Sequence, residues 1–210
     1  MKAWWPLYCR ECIRMRRFLV GSMALCGALA PNVEAQPAPR LPVPPHDPKA
    51  TERRMDDIRR RLETNPPVTG EQRELADFVR AYLDQASRGL AAGEKFPAEC
   101  ITDAADACRR SMDHLQHVAG AAQTRQPPSE GHIRQVYFRL RLSDFFLQQI
   151  RAPKPERLLE LARQLYYRAV KTKEEGDANR AEEYTKAADD LTHALESLAQ
   201  ADVGNPPNVP

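Results

Sequence analysis

The sequence predicts an all-α fold, a single-domain bundle of about six helices that ends in an antiparallel helical hairpin. Along residues 48–202, apolar side chains recur in steps of three and four, which is the spacing of one helix face. No stretch shows the sustained alternation of apolar and polar residues that a half-buried strand needs. Capping residues and prolines separate the periodic runs, so we expect several distinct helices.

The first three helices are predicted over residues 48–63, 70–91 and 103–123. Asp47 is a suitable N-cap for the first, because its carboxylate can accept from the unpaired amides of the first turn. Thr69 and Gln72 have the spacing of a capping box before the second. Thr102 is the predicted N-cap of the third, which leaves Cys100 in the preceding loop.

The last three helices are predicted over residues 130–150, 155–174 and 178–201. The fourth is apolar on several sides, and such a helix is usually buried, so we expect it at the centre of the bundle. Pro155 fits the first position of the fifth helix. The short Gly176-Asp177 turn predicts that the fifth and sixth helices fold back on each other as a hairpin.

Residues 15–35 have the layout of a secretory signal peptide. A basic start at Met15-Arg16-Arg17 is followed by an apolar run over 18–30, shorter than the ~20 residues that span a bilayer. Small residues then mark a cleavage site before Gln36. We therefore expect an exported protein, periplasmic or alternatively secreted, that has no transmembrane segment after cleavage.

The rest of the chain divides around this leader. Residues 1–14 precede it, so either Met15 is the true start and the upstream piece is mis-called, or the leader has a long basic region. The Cys9-x-x-Cys12 pair of residues 1–14 is accordingly left out of the fold. After the leader we expect a proline-rich linker over residues 36–47, a helical domain over 48–202 and a disordered tail over 203–210.

The charge balance argues against a nucleic-acid partner. Residues 1–35 hold five of the 31 basic and two of the 29 acidic side chains, so the mature chain has a formal charge of −1. A nucleic-acid-binding domain usually has a basic excess or stripe. The apparent basicity of the full chain therefore belongs to the leader.

Two cysteines remain in the mature chain, Cys100 and Cys108. An even pair in an oxidising compartment favours a disulfide. We expect the segment 97–101 to fold back as a loop, so that Cys100 meets Cys108 in the second turn of the following helix. Free thiols and a metal-binding role are the alternatives.

His114 and His117 lie three residues apart on the third helix, and this spacing can place two imidazoles on one face as metal ligands. Solvated helix histidines are the preferred interpretation, so no metal site is predicted and these two are only candidates. The acidic pairs Glu182-Glu183 and Asp189-Asp190 are interpreted as solubilising faces, and His193 as a surface partner of the latter.

Residues 158–199 resemble one tetratricopeptide unit. Ala169 stands seven residues before the Gly176-Asp177 turn, and Ala181 and Ala188 follow where that family packs small residues between its paired helices. Arg168 departs from the pattern, since the family usually has an apolar residue there, and no second copy of the repeat is visible. The resemblance implies a protein-binding scaffold rather than an enzyme.

The sequence contains no Gly-x-Ser-x-Gly, Ser-x-x-Lys or phosphate-binding glycine loop, so no catalytic residue and no cofactor are predicted. We expect a non-catalytic protein-interaction or structural module whose partner is a protein of the cell envelope. The alternative is a small-ligand- or metal-binding bundle. In that case the histidines border a cavity lined by Tyr137, Phe138, Phe145 and Tyr166.

Overall fold

Six α-helices and no strand make up the part of the chain that the computed structural model describes, residues 47–120 and 128–203. They are α1 Pro48–Thr64, α2 Gly70–Ala91, α3 Lys95–Gly120, α4 Glu130–Phe146, α5 Pro155–Glu174 and α6 Ala178–Val203, with a 3-10 turn Leu147–Gln149 after α4. The all-α prediction is confirmed. The predicted upstream piece, the leader, the linker up to residue 46 and the tail from residue 204 lie outside the described residues.

Local capping chemistry fixes the starts of several helices. The Asp47 carboxylate accepts from the Lys49 amide at 3.0 Å. At α2, the Thr69 hydroxyl accepts from the Gln72 amide at 3.2 Å, and the Gln72 side chain accepts from the Thr69 amide at 2.9 Å. Ser129 caps α4 through the His132 amide. The caps predicted at Asp47 and Thr69 therefore form as expected.

The predicted start of the third helix is wrong. Helix α3 begins at Lys95, because Gly93 turns the chain with a φ of +83° and the helix then runs through Pro97. Proline is tolerated in the first turn, where the missing N–H has no helical partner in any case. Thr102 therefore lies inside the helix, where its hydroxyl donates to the Ala98 carbonyl.

The core lies mainly between α3 and α6, with α2 and α5 packed on either side. Both helices bury small side chains, including Ala104, Ala107, Ala187 and Ala194. They let the two backbones approach, and the buried Ser111 hydroxyl donates to the Ala187 carbonyl across the gap at 3.0 Å. Helix α6 also contacts α4 and α5, so α6 is the central helix.

Helix α4 is not central, which corrects the prediction. It packs on α6 and, less closely, on α5, and its buried side chains are Val136, Leu140 and Ser143. Arg139 takes the neighbouring position toward α6, where its guanidinium donates to Asp189 at 2.7 Å. Much of the apolar surface of α4 therefore faces solvent.

The C-terminal hairpin forms as predicted. Gly176 adopts a φ of +83°, a left-handed conformation that suits glycine, and α5 and α6 pack against each other on either side of it. The Asp177 carboxylate accepts from the Arg180 amide at 3.1 Å and so caps α6. The described residues all belong to one compact unit, Pro44–Pro210.

Candidate functional site

The predicted disulfide is wrong. Cys100 and Cys108 are free thiols, both buried within α3. Eight residues of helix separate their Cα atoms by about 12 Å, whereas a disulfide needs them within about 7 Å. Burial, followed by the charges of Asp103 and Glu99, raises the pKa of Cys100 to about 11, and burial likewise raises the pKa of Cys108. Both thiols are therefore protonated and shielded.

The predicted histidines meet a third residue. His114 and His117 lie near the end of α3 and face Glu183 on α6. The Glu183 Oε2 atom is 2.8 Å from His114 Nδ1 and 3.8 Å from His117 Nδ1. Glu183 is only 2% exposed, so its assignment to a solubilising face is wrong. We call these three residues the His–Glu cluster.

A second carboxylate stands behind the cluster. Asp190 Oδ2 lies 3.5 Å from the other nitrogen of His114, and the Arg110 guanidinium donates to Asp190 Oδ1 at 2.9 Å. Burial raises the pKa of Asp190, although Arg110 and His114 act in the opposite direction. The His114 ring therefore lies between two carboxylates, Glu183 at Nδ1 and Asp190 at Nε2.

The two other histidines among the described residues form a different arrangement. His132 and His193 face Asp189, and Arg139 lies among them. The Arg139 guanidinium contacts both Asp189 and the His193 ring. This second group, the Arg–His cluster, thus already contains a cation between its possible ligands.

Four large apolar side chains project from α4 into solvent: Tyr137, Phe138, Leu142 and Phe145. Phe138 is 64% exposed and Phe145 is 76% exposed. The predicted cavity lined by Tyr137, Phe138, Phe145 and Tyr166 is therefore wrong, since the first three lie on the surface. We call these four residues, with the exposed Tyr167 of α5, the aromatic face.

A row of rings continues this face from α4 onto α5. The Tyr137 ring lies 5.9 Å from Phe138 and 6.1 Å from Tyr166, and Tyr166 lies 5.9 Å from Tyr167. Ring centroids at these separations stabilise one another beyond their buried area. The aromatic face is thus a connected surface across two helices, and Tyr166 anchors it to the core.

Sequence reasoning missed Glu183 and the exposure of the aromatic face. A usable signal existed for Glu183, because it shares a stripe of α6 with the buried residues Ala187 and Ala194 at helical spacing. For the aromatic face no such signal existed. Apolar periodicity marks a face as apolar but does not say whether a neighbour covers it.

Within the described residues, no helix is both long enough and apolar enough to cross a membrane. Comparisons with protein-family models, curated proteins and solved structures gave no match to this chain. The tetratricopeptide resemblance of residues 158–199 stays a prediction.

Proposed function

We propose that this protein is an exported, non-catalytic helical interaction module and that its protein partner binds the aromatic face of α4. The observation that carries the proposal is the exposure of four large apolar side chains on one helix. Isolated exposed apolar residues are ordinary, but a contiguous patch of them usually marks an interaction site. Aromatic residues are also enriched at the centres of protein interfaces.

The spacing of the exposed side chains favours one mode of binding. Phe138, Leu142 and Phe145 occupy positions i, i+4 and i+7, so they project in one row along α4. This is the anchor pattern of an amphipathic helix that lies in an apolar groove of its partner. In the proposed complex α4 supplies the helix and the partner supplies the groove.

The charges beside the row indicate the chemistry of that groove. Arg141 is exposed and makes no ion pair with any residue in the described ranges, and Arg134 is exposed on the same side. The nearby carboxylates of Glu130 and Asp144 already face Arg134 and Arg163. We therefore expect a partner whose apolar groove is bordered by carboxylates, since complementary charge fixes partner and orientation.

The proposed compartment follows from the leader over residues 15–35, which supports a periplasmic protein, with a secreted one as the alternative. The resemblance of residues 158–199 to a tetratricopeptide unit supports the interaction role instead, because it implies a protein-binding scaffold. The mass of the protein recovered from the native cell tests the compartment. A species that begins at Gln36 is expected, and one that retains residues 15–35 would contradict export.

Site-specific photo-crosslinking in the native cell tests the docking face. A photoreactive phenylalanine analogue at Phe145 is expected to give one protein adduct, with its crosslinked peptide in an acid-bordered apolar groove. The same analogue at Val68, which is 72% exposed between α1 and α2, is the matched control and should give none. Adducts to lipid alone, or only to other copies of this chain, would contradict the proposal.

Binding of the identified partner in purified form gives the quantitative test. Replacement of Phe138 and Phe145 by Ser should weaken binding by about 30-fold or more, the effect of losing a central anchor of about 2 kcal/mol. Arg141→Glu should slow association and reduce its dependence on salt. Val68→Ser should change neither quantity, and equal losses at all positions would indicate a general folding defect.

A further inference from the structure

We propose that His114, His117 and Glu183 bind one divalent transition-metal ion of the zinc class. This site goes beyond the proposed docking role, since it lies between α3 and α6 and includes no residue of α4. Two imidazole nitrogens and one carboxylate oxygen are the donor set of many three-ligand zinc sites. Magnesium and calcium prefer all-oxygen sites, so this donor set does not favour them.

The geometry is close to that of a bound ion. The three donor atoms all lie within 4.8 Å of one another. Around a tetrahedral zinc ion with bonds near 2.1 Å, neighbouring donor atoms are separated by about 3.4 Å. The separations of 2.8 and 3.8 Å between Glu183 Oε2 and the two Nδ1 atoms fall on either side of that value. Small side-chain rotations are therefore enough to bring the donors to bonding distance.

The buried Glu183 on α6 is held in place, whereas the exposed His117 on α3 can move, and this difference suits metal binding. Glu183 is 2% exposed and is fixed on the central helix. The side chain of His117 is 63% exposed, so it has freedom to rotate toward the ion. The exposed side leaves the remaining coordination positions to water, as in other three-ligand zinc sites. An ion can also enter from that side without any opening of the bundle.

The residues behind the site support the same assignment. A metal-bound histidine usually donates its second ring N–H to a carboxylate, which fixes the tautomer. Asp190 Oδ2 lies 3.5 Å from His114 Nε2, so it is placed to accept from that nitrogen when Nδ1 binds the ion. Without an ion, the 2.8 Å contact between His114 Nδ1 and Glu183 Oε2 needs a proton between the two atoms, and the ion takes the place of that proton. Arg110 in turn orients Asp190.

Among the described residues, a lysine also approaches Glu183. Lys186 lies 4.0 Å from Oε1 of Glu183, the oxygen that the proposed site does not use, and it is closer to Glu182 at 3.1 Å. The Arg–His cluster is the contrasting case. There Arg139 contacts Asp189 and His193 directly, so a metal ion would have to displace a guanidinium.

Titration of the full chain tests the site. Cys9 and Cys12 are replaced by Ser in every sample, because thiolates upstream of the leader would bind zinc by themselves. After removal of metal with a chelator, cobalt is added and followed by its visible absorption, and zinc is then used to displace it. One equivalent of tightly bound metal is expected.

Matched variants locate the ion. His117→Asn changes an exposed side chain and should lower metal affinity by about 100-fold or more, and Glu183→Gln should do the same. Asp190→Asn should lower it by about 10- to 100-fold, the effect of losing an outer-shell partner. His132→Asn, in the Arg–His cluster, should leave it unchanged. Circular dichroism of each variant checks that the fold is retained.

Three results would overturn the proposal. They are the absence of stoichiometric binding, an affinity unchanged by His117→Asn, and a loss on His132→Asn as large as that on His117→Asn. Since His117 is exposed, its variant remains informative even if Glu183→Gln does not fold. Loss of the metal site with partner binding intact would separate this inference from the docking function.

Discussion

Helices α2 and α4 have similar sequence patterns but opposite surroundings. Both carry large apolar residues at helical spacing, and α2 buries nearly all of them, namely Leu75, Phe78, Val79, Tyr82 and Leu83. Helix α4 buries Val136 and Leu140 and exposes the aromatic face. The comparison shows that an apolar stripe on a helix favours burial against other apolar groups. Those groups can belong to the same chain or to another one.

The physical reason for the difference lies in what each helix meets. Helix α2 packs closely against α3, and α1 also contacts it. Helix α4 meets α6 through a stripe that Arg139 shares, with its guanidinium paired to Asp189 and Glu196. Because the Arg139 ion pairs occupy part of that contact, α4 buries less apolar surface there. The remaining apolar side chains of α4 are then exposed to solvent.

The largest expected effect is on the free energy of unfolding, when the same Leu→Ala substitution is made on α2 and on α4. Leu83→Ala should lower the free energy of unfolding by about 2–5 kcal/mol, because it leaves a cavity beside α3. Leu142→Ala, on the exposed side of α4, should change it by less than about 0.5 kcal/mol. Urea denaturation measures both. A large loss from Leu142→Ala would show that this face is structurally covered and would break the comparison.

A smaller effect on the free energy of unfolding is expected from removing a tyrosine hydroxyl on α2 or on α4. The Tyr82 hydroxyl is buried and has no hydrogen-bond partner among the described residues. An unpaired buried hydroxyl is costly, so Tyr82→Phe should raise the free energy of unfolding by about 1 kcal/mol. Tyr137→Phe, whose ring is exposed on α4, should have no effect. A loss of stability from Tyr82→Phe would mean that the hydroxyl finds a partner in solution.

The smallest effect is the pH dependence of the ion pairs that tie α2 to α5. The hydrogen bond from Arg157 lowers the pKa of Glu74 below its usual value of 4.5, although partial burial opposes the shift. The pair therefore stabilises the fold above about pH 4.5 and loses this contribution as the pH falls through the lowered pKa. Exposure to solvent keeps the contribution small.

Glu74→Gln is the corresponding test. Its unfolding midpoint should lie slightly below that of the wild type at pH 7, and the two midpoints should converge as the pH falls below the lowered pKa of Glu74. Thermal unfolding across this range gives the comparison. A difference that persists unchanged at low pH would show that the charge of Glu74 is not the cause.

Local chemistry made much of the fold predictable. The predicted bounds of α1, α2, α5 and α6 agree with the structure to within two residues, because capping side chains and prolines act over a few positions. The start of α3 could not be found in this way. Thr102 is the predicted N-cap, but it lies inside the helix, and Pro97 is tolerated in the first turn.

The candidate sites were only partly predictable. The His114 and His117 spacing identified one half of the His–Glu cluster, but Glu183 lies 69 positions from His114 and joins it only through the packing of α3 on α6. The aromatic residues of α4 were recognised and placed in the wrong environment. Both misses are long-range events, decided by which helices become neighbours rather than by any local pattern.

The two sealed thiols of α3 have a consequence for how the protein matures. Because helix geometry keeps Cys100 and Cys108 apart, the helical unit needs no covalent cross-link and no oxidoreductase to reach its final form. Its packing is accordingly indifferent to the redox potential of its surroundings, and reductant should leave its melting temperature unchanged.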